Sequence, residues 1–217
     1  MARQKWKVLS ILIVLLLVNT TTVLSNKAEA QIALKYGDVH RDVWDLQYRL
    51  RTIKLYSGSI DGHYGPGTKA AVIAYQKKYG MVPNGKTSLA TWRSLKKVSM
   101  SKYEVDMMSK VIYGEARGES YTGQVAIGAV LMNRFKSSQF PNTMKGVIYQ
   151  KNAFTVVTDG QFNLKPSQTA YKAALDAVRG VDPTKNALYY FNPKLTTSKW
   201  MLSRPRTVKI GNHIFAK

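Results

Sequence analysis

Residues 101–119, which read SKYEVDMMSKVIYGEARGE, organise the rest of the chain. Ser101 and Glu104 have the spacing of a capping box, which predicts that a helix starts at this point. Four residues then follow at steps of three, four and three and share one helix face: Val105, Met108, Ile112 and Glu115. An acid, Glu115, therefore occupies a position where a core residue is expected.

The position of Glu115 suggests acid chemistry. Burial of a carboxyl group disfavours its charged form and raises its pKa. A protonated acid near neutral pH is what general-acid catalysis on an acetal oxygen requires. Gly114 and Gly118 flank Glu115, and we expect them to leave space for a ligand. The alternative is that Glu115 is a structural acid paired with Arg117 or Arg134.

The first thirty residues have the composition of a secretory signal peptide. A basic start is followed by a largely apolar run, Val8 to Val18, and by the cleavage pattern Ala28-Glu29-Ala30. The apolar run is too short to cross a bilayer comfortably. The sequence predicts a signal peptide over 1–30 and a secreted protein that starts at Gln31. An uncleaved membrane anchor is the alternative.

Charge and cysteine content restrict the function classes. The chain of 217 residues contains no cysteine, so it has no disulfide and no thiolate nucleophile or metal ligand. Its net charge of +21 favours a polyanionic partner. For an exported protein these are peptidoglycan carboxylates and other anionic wall polymers. No nucleic-acid-binding motif accompanies the charge, so we do not expect nucleic acid as a partner.

Residues 33–97 read as a small helical module. Apolar periodicity after Asp38 predicts a first helix, with Asp38 as its N-cap. The turns Asp61-Gly62 and Asn84-Gly85 precede two more predicted helices, which we expect Thr68 and Thr87 to cap. The Asp-Gly and Asn-Gly turns form a weak internal repeat.

Residues 98–217 form the second predicted domain after a short polar join. Three longer helices are expected, starting at Ser101, Thr122 and Ser167. The β-branched segment 153–157 favours an extended chain. Short strands are predicted over 187–191 and 208–215, and the second is folded into a hairpin at Gly211-Asn212. The predicted fold class is therefore mainly α (α+β), with a small β hairpin.

The first half resembles the three-helix peptidoglycan-binding module that accompanies many cell-wall hydrolases. The resemblance rests on these blocks: Gly37-Asp38, Leu46-Gln47, Leu50, Ile60-Asp61-Gly62, Tyr64-Gly65, Thr68, Ala71-Val72, Tyr75-Gln76, Asn84-Gly85 and Thr91. It implies that residues 33–97 hold the protein on the cell wall.

The second half resembles the spore cortex-lytic cell-wall hydrolases of the SleB/CwlJ type. The resemblance rests on ordered blocks: 113–119, Gly123-Gln124-Val125-Ala126, Asn133-Arg134, Phe140-Pro141, 146–149, Phe154, Asp159-Gly160-Gln161, 187–193, Ser198-Lys199-Trp200 and 210–215. It implies a lysozyme- and transglycosylase-like fold over 98–217. It also implies that Glu115, the first acid of the block YGEARGE, is the catalytic acid.

Other residues of these blocks are candidates for substrate binding. Aromatic faces stack on sugar rings and side-chain amides bridge hydroxyl groups, which selects six residues: Glu119, Phe154, Asp159, Gln161, Tyr190 and Asn192. Glu119 has the alternative of binding Arg117 or capping the next helix. Trp200 and His213 are more typical of structural positions. The histidines form no cluster with acids at ligand spacing, so we expect no metal and no other cofactor.

These observations predict a secreted, monomeric glycosidase that cleaves peptidoglycan between N-acetylmuramic acid and N-acetylglucosamine. A lytic transglycosylase needs only one acid, and Glu115 is the only strong candidate. One alternative is a hydrolytic muramidase that pairs Glu115 with Asp159 or Glu119. The other is a wall-binding protein without catalytic activity.

Overall fold

The computed structural model describes residues 32–217, which belong to one compact unit. The predicted signal peptide lies outside the described residues. Three helices form the N-terminal part: α1 (Arg41–Thr52), α2 (Pro66–Lys78) and α3 (Leu89–Val98). They enclose a core whose largest buried side chains are Leu46, Leu50, Tyr64, Tyr75 and Trp92. This part is the predicted three-helix module.

Two buried glutamines give the internal repeat a physical basis. Gln47 on α1 donates from Nε2 to Asp61 at 2.8 Å, and its Oε1 accepts from the backbone N–H groups of Asp61 and Gly62. Gln76 on α2 accepts from the N–H of Gly85 at 2.9 Å in the same way. Each glutamine therefore fixes the turn that leads to the next helix.

Six α-helices and one short 3-10 helix (Gln161–Asn163) follow in the C-terminal part, the α-helices being α4 (Lys102–Ala116), α5 (Tyr121–Lys136), α6 (Met144–Tyr149), α7 (Thr155–Thr158), α8 (Gln168–Val178) and α9 (Lys199–Leu202). α4, α5 and α8 pack together around the larger core. Gly128 allows their close approach, because a Cβ atom there would lie 2.8 Å from the Cβ of Ala177. The capping box of Ser101 and Glu104 is present as predicted.

A three-stranded antiparallel sheet closes the chain, with the order β1-β3-β2. Its strands are β1 (Tyr189–Phe191), β2 (Arg206–Ile210) and β3 (His213–Ala216). β2 and β3 form the predicted hairpin, and β1 pairs with β3 so that Tyr190 lies opposite Phe215. The prediction of a mainly α fold with a small β element is confirmed.

The module and the C-terminal part are in direct contact. Tyr48 of α1 is buried in the larger core, and its hydroxyl meets that of Tyr171 on α8. Arg49 is 5% exposed, pairs with Glu104 of α4 at 3.1 Å and donates to the carbonyl of Ser99 at 3.2 Å. Only residues 99–101 separate α3 from α4. The join is therefore a packed corner rather than a linker.

Several local predictions are wrong. His40 caps α1 in place of Asp38, Ser88 caps α3 in place of Thr87, and Ser120 caps α5 two residues before the predicted Thr122. α2 begins at Pro66 after Gly65, while Thr68 is buried and bonded to Gln47. Thr87 pairs its backbone with Leu34. In each case another residue nearby takes the N-cap position, and Thr68 and Thr87 lie buried in the core of the module instead.

The segment 153–157 also differs from its prediction. It is not extended, because residues 155–158 form the single turn of α7. Val156 is buried there and its N–H bonds to Glu115, so tertiary contacts override the strand preference of β-branched residues. Within the part of the chain that the structure describes, no helix is both long and apolar enough to cross a membrane.

Candidate active site

Glu115 lies in the last turn of α4, half-buried, with its carboxyl group held by three donors. Oε1 accepts from the Thr155 hydroxyl and from the backbone N–H of Val156, each at 3.1 Å. Oε2 accepts from the hydroxyl of Tyr190 at 2.9 Å. α7 and β1 thus fix the acid from two sides, which leaves little rotational freedom for the side chain.

The glycine before the acid has a packing role. A Cβ atom at Gly114 would lie 2.3 Å from Cγ2 of Val156, so the side chain of Val156 occupies the space that we expected a ligand to use. Gly118 has open space around it, as predicted. The close contact at Gly114 brings α7 near enough to α4 for Val156 to bond Glu115.

Glu115 lies between two adjoining cavities of about 620 Å³ and 360 Å³. They share five lining residues: Glu115, Thr155, Asn192, Leu195 and His213. Together they form a groove, which we call the Glu115 groove, with the acid near its middle. A polymer bound along it would present one of its bonds to the acid.

Three of the predicted binding residues line the larger cavity of this groove with Glu115: Phe154, Tyr190 and Asn192. Phe154 is 4% exposed and packs against the ring of Tyr190. Burial and the charge of Glu115 raise the pKa of Tyr190 well above its ordinary value. Its hydroxyl therefore stays protonated near neutral pH and can donate to Glu115. The structure thus brings these three residues to the acid.

Glu119 lines only the smaller cavity. Its carboxylate accepts from the side chain of Asn212 at 2.9 Å and from the backbone N–H of Asn212 at 3.3 Å, and lies 3.7 Å from His213. It neither binds Arg117 nor caps α5, so both alternatives are wrong. A Cβ at Gly211 would lie 1.9 Å from Oε2 of Glu119, which shows how closely the hairpin turn covers the acid.

Asp159 and Gln161 line neither of the two cavities of the groove. Asp159 accepts from the N–H and the side-chain amide of Gln161, at 3.0 Å and 2.6 Å. Gln161 in turn accepts from Arg117 at 2.6 Å. The two residues therefore organise the surface beside the groove, and Asp159 has no contact that would bring its carboxylate to the acid.

Arg134, which the sequence offered only as an ion-pair partner of Glu115, lines the larger cavity. It is 5% exposed and donates from Nε to the carbonyl of Leu188 at 2.7 Å. Its guanidinium group lies within 5.6 Å of the rings of Phe140, Phe154 and Tyr189. Burial lowers its pKa, but an arginine remains protonated. The sequence signal that could have indicated its role is a charged residue on the buried face of α5.

Trp200 and His213 line the groove as well, although the sequence favoured structural roles. Trp200 is 54% exposed and meets Tyr189 edge to face at 5.2 Å. An exposed aromatic face in a groove suits the apolar face of a sugar ring. Among residues 32–217 no group of three or more histidine and acidic side chains is arranged to hold a metal ion.

Comparison with known proteins identifies the family. A family model for putative peptidoglycan binding domains matches residues 39–95, and one described as Cell Wall Hydrolase matches residues 118–216. The spore cortex-lytic enzyme of Bacillus cereus is 38% identical over an alignment of 240 residues, which covers 93% of each chain. The chain belongs to the spore cortex-lytic enzyme family. The resemblance noted in the sequence and the prediction of a cell wall hydrolase are therefore confirmed.

Relatives within this family agree with the structure. The spore cortex-lytic enzyme of Bacillus subtilis is 50% identical over 117 residues, which cover 54% of this chain and 38% of that protein. The catalytic domain of the SleB protein of Bacillus cereus matches with a TM-score of 0.53 and 55% identity, over 55% of this chain and 93% of that domain. The catalytic domain of a germination-specific lytic transglycosylase, SleB of Bacillus anthracis, matches with 57% identity and the same TM-score, over 54% of this chain and 97% of that domain.

Proposed function

We propose that this chain is a secreted lytic transglycosylase that cleaves peptidoglycan between N-acetylmuramic acid and N-acetylglucosamine. Its proposed setting is the spore cortex during germination, because its relatives are spore cortex-lytic enzymes. The observation that carries the proposal is that Glu115 is the only carboxylate lining the larger cavity, among the residues described. A single acid near the middle of the groove suits a reaction in which one residue serves first as the general acid and then as the general base.

Glu115 performs both proton transfers in the proposed reaction. As a general acid it protonates the glycosidic oxygen while the bond to C1 of the muramic residue breaks and an oxocarbenium-like state develops. The same carboxylate then takes the proton of the muramic C6 hydroxyl, whose oxygen bonds to C1. The product is a 1,6-anhydro ring, and no water is consumed. Thr155, Val156 and Tyr190 hold the carboxyl group in place during both steps.

The module at 33–97 supplies attachment to the wall in this proposal, and 98–217 carries the chemistry. The family-model match to residues 39–95 supports peptidoglycan as the ligand of the module. Asp61 and Asn84 hold turns inside it by accepting hydrogen bonds from Gln47 and Gln76. We infer that the module and the Glu115 groove act on the same wall polymer.

The hydrolytic alternative requires a second carboxylate beside Glu115. Asp159 lines neither cavity of the groove, so the candidate for that role is Glu119 in the smaller cavity. Two hydrogen bonds to Asn212 hold Glu119, and its side chain is only 10% exposed. A nucleophile or base for water needs a free lone pair facing the sugar. The contacts of Glu119 therefore favour the single-acid reaction.

The test is mass spectrometry of the fragments released from purified cortex peptidoglycan. We expect 1,6-anhydromuramic ends, each one water lighter than a hydrolysed end. Glu115→Gln should lower the rate by about 10²–10⁴-fold or more, because it removes the only proton-transfer group. The matched control Asp159→Asn should retain most activity. Reducing muramic ends as the main product, with Glu119→Gln as inactive as Glu115→Gln, would establish the two-carboxylate hydrolase instead.

A further inference from the structure

A second concave surface lies along α4, separate from the Glu115 groove. Its volume is about 680 Å³, and we call it the α4 cavity. Three lysines line it: Lys102, Lys110 and Lys165. Its wall also includes two exposed side chains of apolar character, Tyr103 at 61% and Leu164 at 45%. The cavity therefore offers positive charge beside an apolar surface.

The positive charge of the α4 cavity is largely uncompensated. Asp106 is the only acid in its lining, and it pairs with Lys102 at 2.6 Å. Within residues 32–217, Lys110 and Lys165 form no ion pair. The ammonium group of Lys110 lies 5.2 Å from the ring centre of Phe162, which holds it at the cavity edge. Two cations are thus available for an anionic ligand.

The α4 cavity and the smaller cavity of the Glu115 groove adjoin the same side of α4. Arg117 lines the smaller cavity together with Glu115 and donates to Gln161 at 2.6 Å. Phe162 follows Gln161 and lies under Lys110. Arg117 and Lys110 are seven residues apart on one side of α4 and its C-cap, which is almost two helical turns. Arg117, Lys110 and Lys165 therefore form a basic ridge that runs from the acid to the α4 cavity.

The dimensions of the ridge fit a short peptide. Lys110 and Arg117 lie seven residues apart on the same side of α4 and its C-cap, a rise of about 10.5 Å along the helix axis. An extended peptide spans about 3.3–3.6 Å per residue, so a few residues cover this distance. In peptidoglycan such a peptide begins at the muramic residue, which the proposed reaction places at Glu115. Its carboxylates match the lysines, and its alanine methyl groups match Tyr103 and Leu164.

We propose that the basic ridge and the α4 cavity bind the acidic stem peptide carried by a muramic residue of the glycan strand in the Glu115 groove. This inference rests on the proposed function. The apolar part of the cavity favours a peptide over a phosphodiester wall polymer, which would present only charge and hydroxyl groups. The protein then binds two parts of one glycan strand: the sugar in the Glu115 groove and the stem peptide along the basic ridge.

The experiment measures binding without turnover, in the full chain carrying Glu115→Gln. The probes are soluble fluorescent glycan strands with stem peptides and the same strands after an amidase has removed the peptides. We expect tighter binding of the peptide-bearing strands. Adding Lys110→Gln and Lys165→Gln should raise their dissociation constant about fivefold, since each exposed charge pair contributes modestly. Binding of the bare strands should not change.

The matched control replaces Lys145 and Lys209, which are exposed and lie outside the cavities described here, by glutamine. It removes the same charge and should change neither dissociation constant. Equal binding of both strands, or equal weakening of both by the ridge variant, would overturn the proposal. A third outcome is that the ridge variant binds soluble poly(glycerol phosphate) more weakly but binds peptide-bearing strands as tightly as before. That outcome would assign the site to a phosphodiester polymer instead. Because no cleavage is needed, these outcomes are independent of whether Glu115 is the catalytic acid.

Discussion

The hydroxyl of Tyr190 donates to Oε2 of Glu115 at 2.9 Å and joins two residues that are 75 positions apart in the sequence. Burial, followed by the charge of Glu115, raises the pKa of this tyrosine. The donor therefore stays protonated beside the acid. The remaining donors to the carboxyl group, Thr155 and Val156, both belong to α7. Tyr190 is thus the contact that ties the acid to the sheet.

Tyr190→Phe should lower kcat about 10- to 100-fold, because a hydrogen bond to a charged group contributes about 1.5–3 kcal/mol. The ring stays, so the groove wall is preserved. Tyr189→Phe is the matched control, since the Tyr189 hydroxyl makes no hydrogen bond within residues 32–217. Steady-state kinetics on soluble glycan strands measures both. An equal fall in the two variants would show that the Tyr190 contact does not position the acid.

Gly114→Ala should displace α7 from the acid. The new Cβ would lie 2.3 Å from Val156, and overpacking of this kind costs about 1–3 kcal/mol. We expect a lower melting temperature together with a large loss of activity. The double variant Gly114→Ala/Val156→Ala should recover part of both, because it removes the clashing methyl groups. Gly118→Ala, in open space, is the control, and a loss there as large as at Gly114 would contradict the packing explanation.

Arg49→Met should destabilise the contact between the module and α4. It leaves Glu104 without its cation and the carbonyl of Ser99 without a donor, at a cost of about 1–3 kcal/mol. Denaturant unfolding measures the change. The control is Lys102→Met, which breaks an exposed pair with Asp106 and should cost less than about 1 kcal/mol. Equal costs would mean that the contact at the junction is no stronger than a surface pair.

Tyr64→Phe should reduce the loss of stability at alkaline pH. Burial raises the pKa of Tyr64, so above pH 10, roughly the ordinary tyrosine value, the unfolded chain loses a proton that the folded protein keeps. The free energy of unfolding therefore falls as pH rises through this range. The variant loses the bond to Gly85 and is less stable at pH 7, but its alkaline slope should be smaller. Identical slopes in both proteins would refute this origin.

The sequence predicted those features that depend on local spacing. The stripe ending at Glu115, the capping box of Ser101 and the hairpin at Gly211-Asn212 all follow from periodicity or turn chemistry, and all are present. Glu115 as the catalytic acid remains a proposal. The sequence did not predict α7, because Val156 is helical only through its contacts with Gly114 and Glu115.

Contacts between segments that are distant in the sequence could not be predicted from local sequence patterns. The sequence offered Arg134 only as an ion-pair partner for Glu115, and only the folded chain surrounds it with Phe140, Phe154 and Tyr189. The sequence also offered Glu119 as a partner for Arg117, but in the structure its carboxylate accepts a hydrogen bond from Asn212 in the hairpin turn. Such partners are set by tertiary packing, which spacing along one helix does not encode.

The packed corner at residues 99–101 has a consequence for how the wall is consumed. The module and the Glu115 groove belong to one compact unit, so the distance from the anchoring surface to the acid is constant. If the module anchors the chain to the wall as proposed, each attachment exposes only the glycosidic bonds at that distance, and other bonds require release and rebinding. We then expect a large polymer to be cleaved in separate local events, at an overall rate that depends on how fast the module is released.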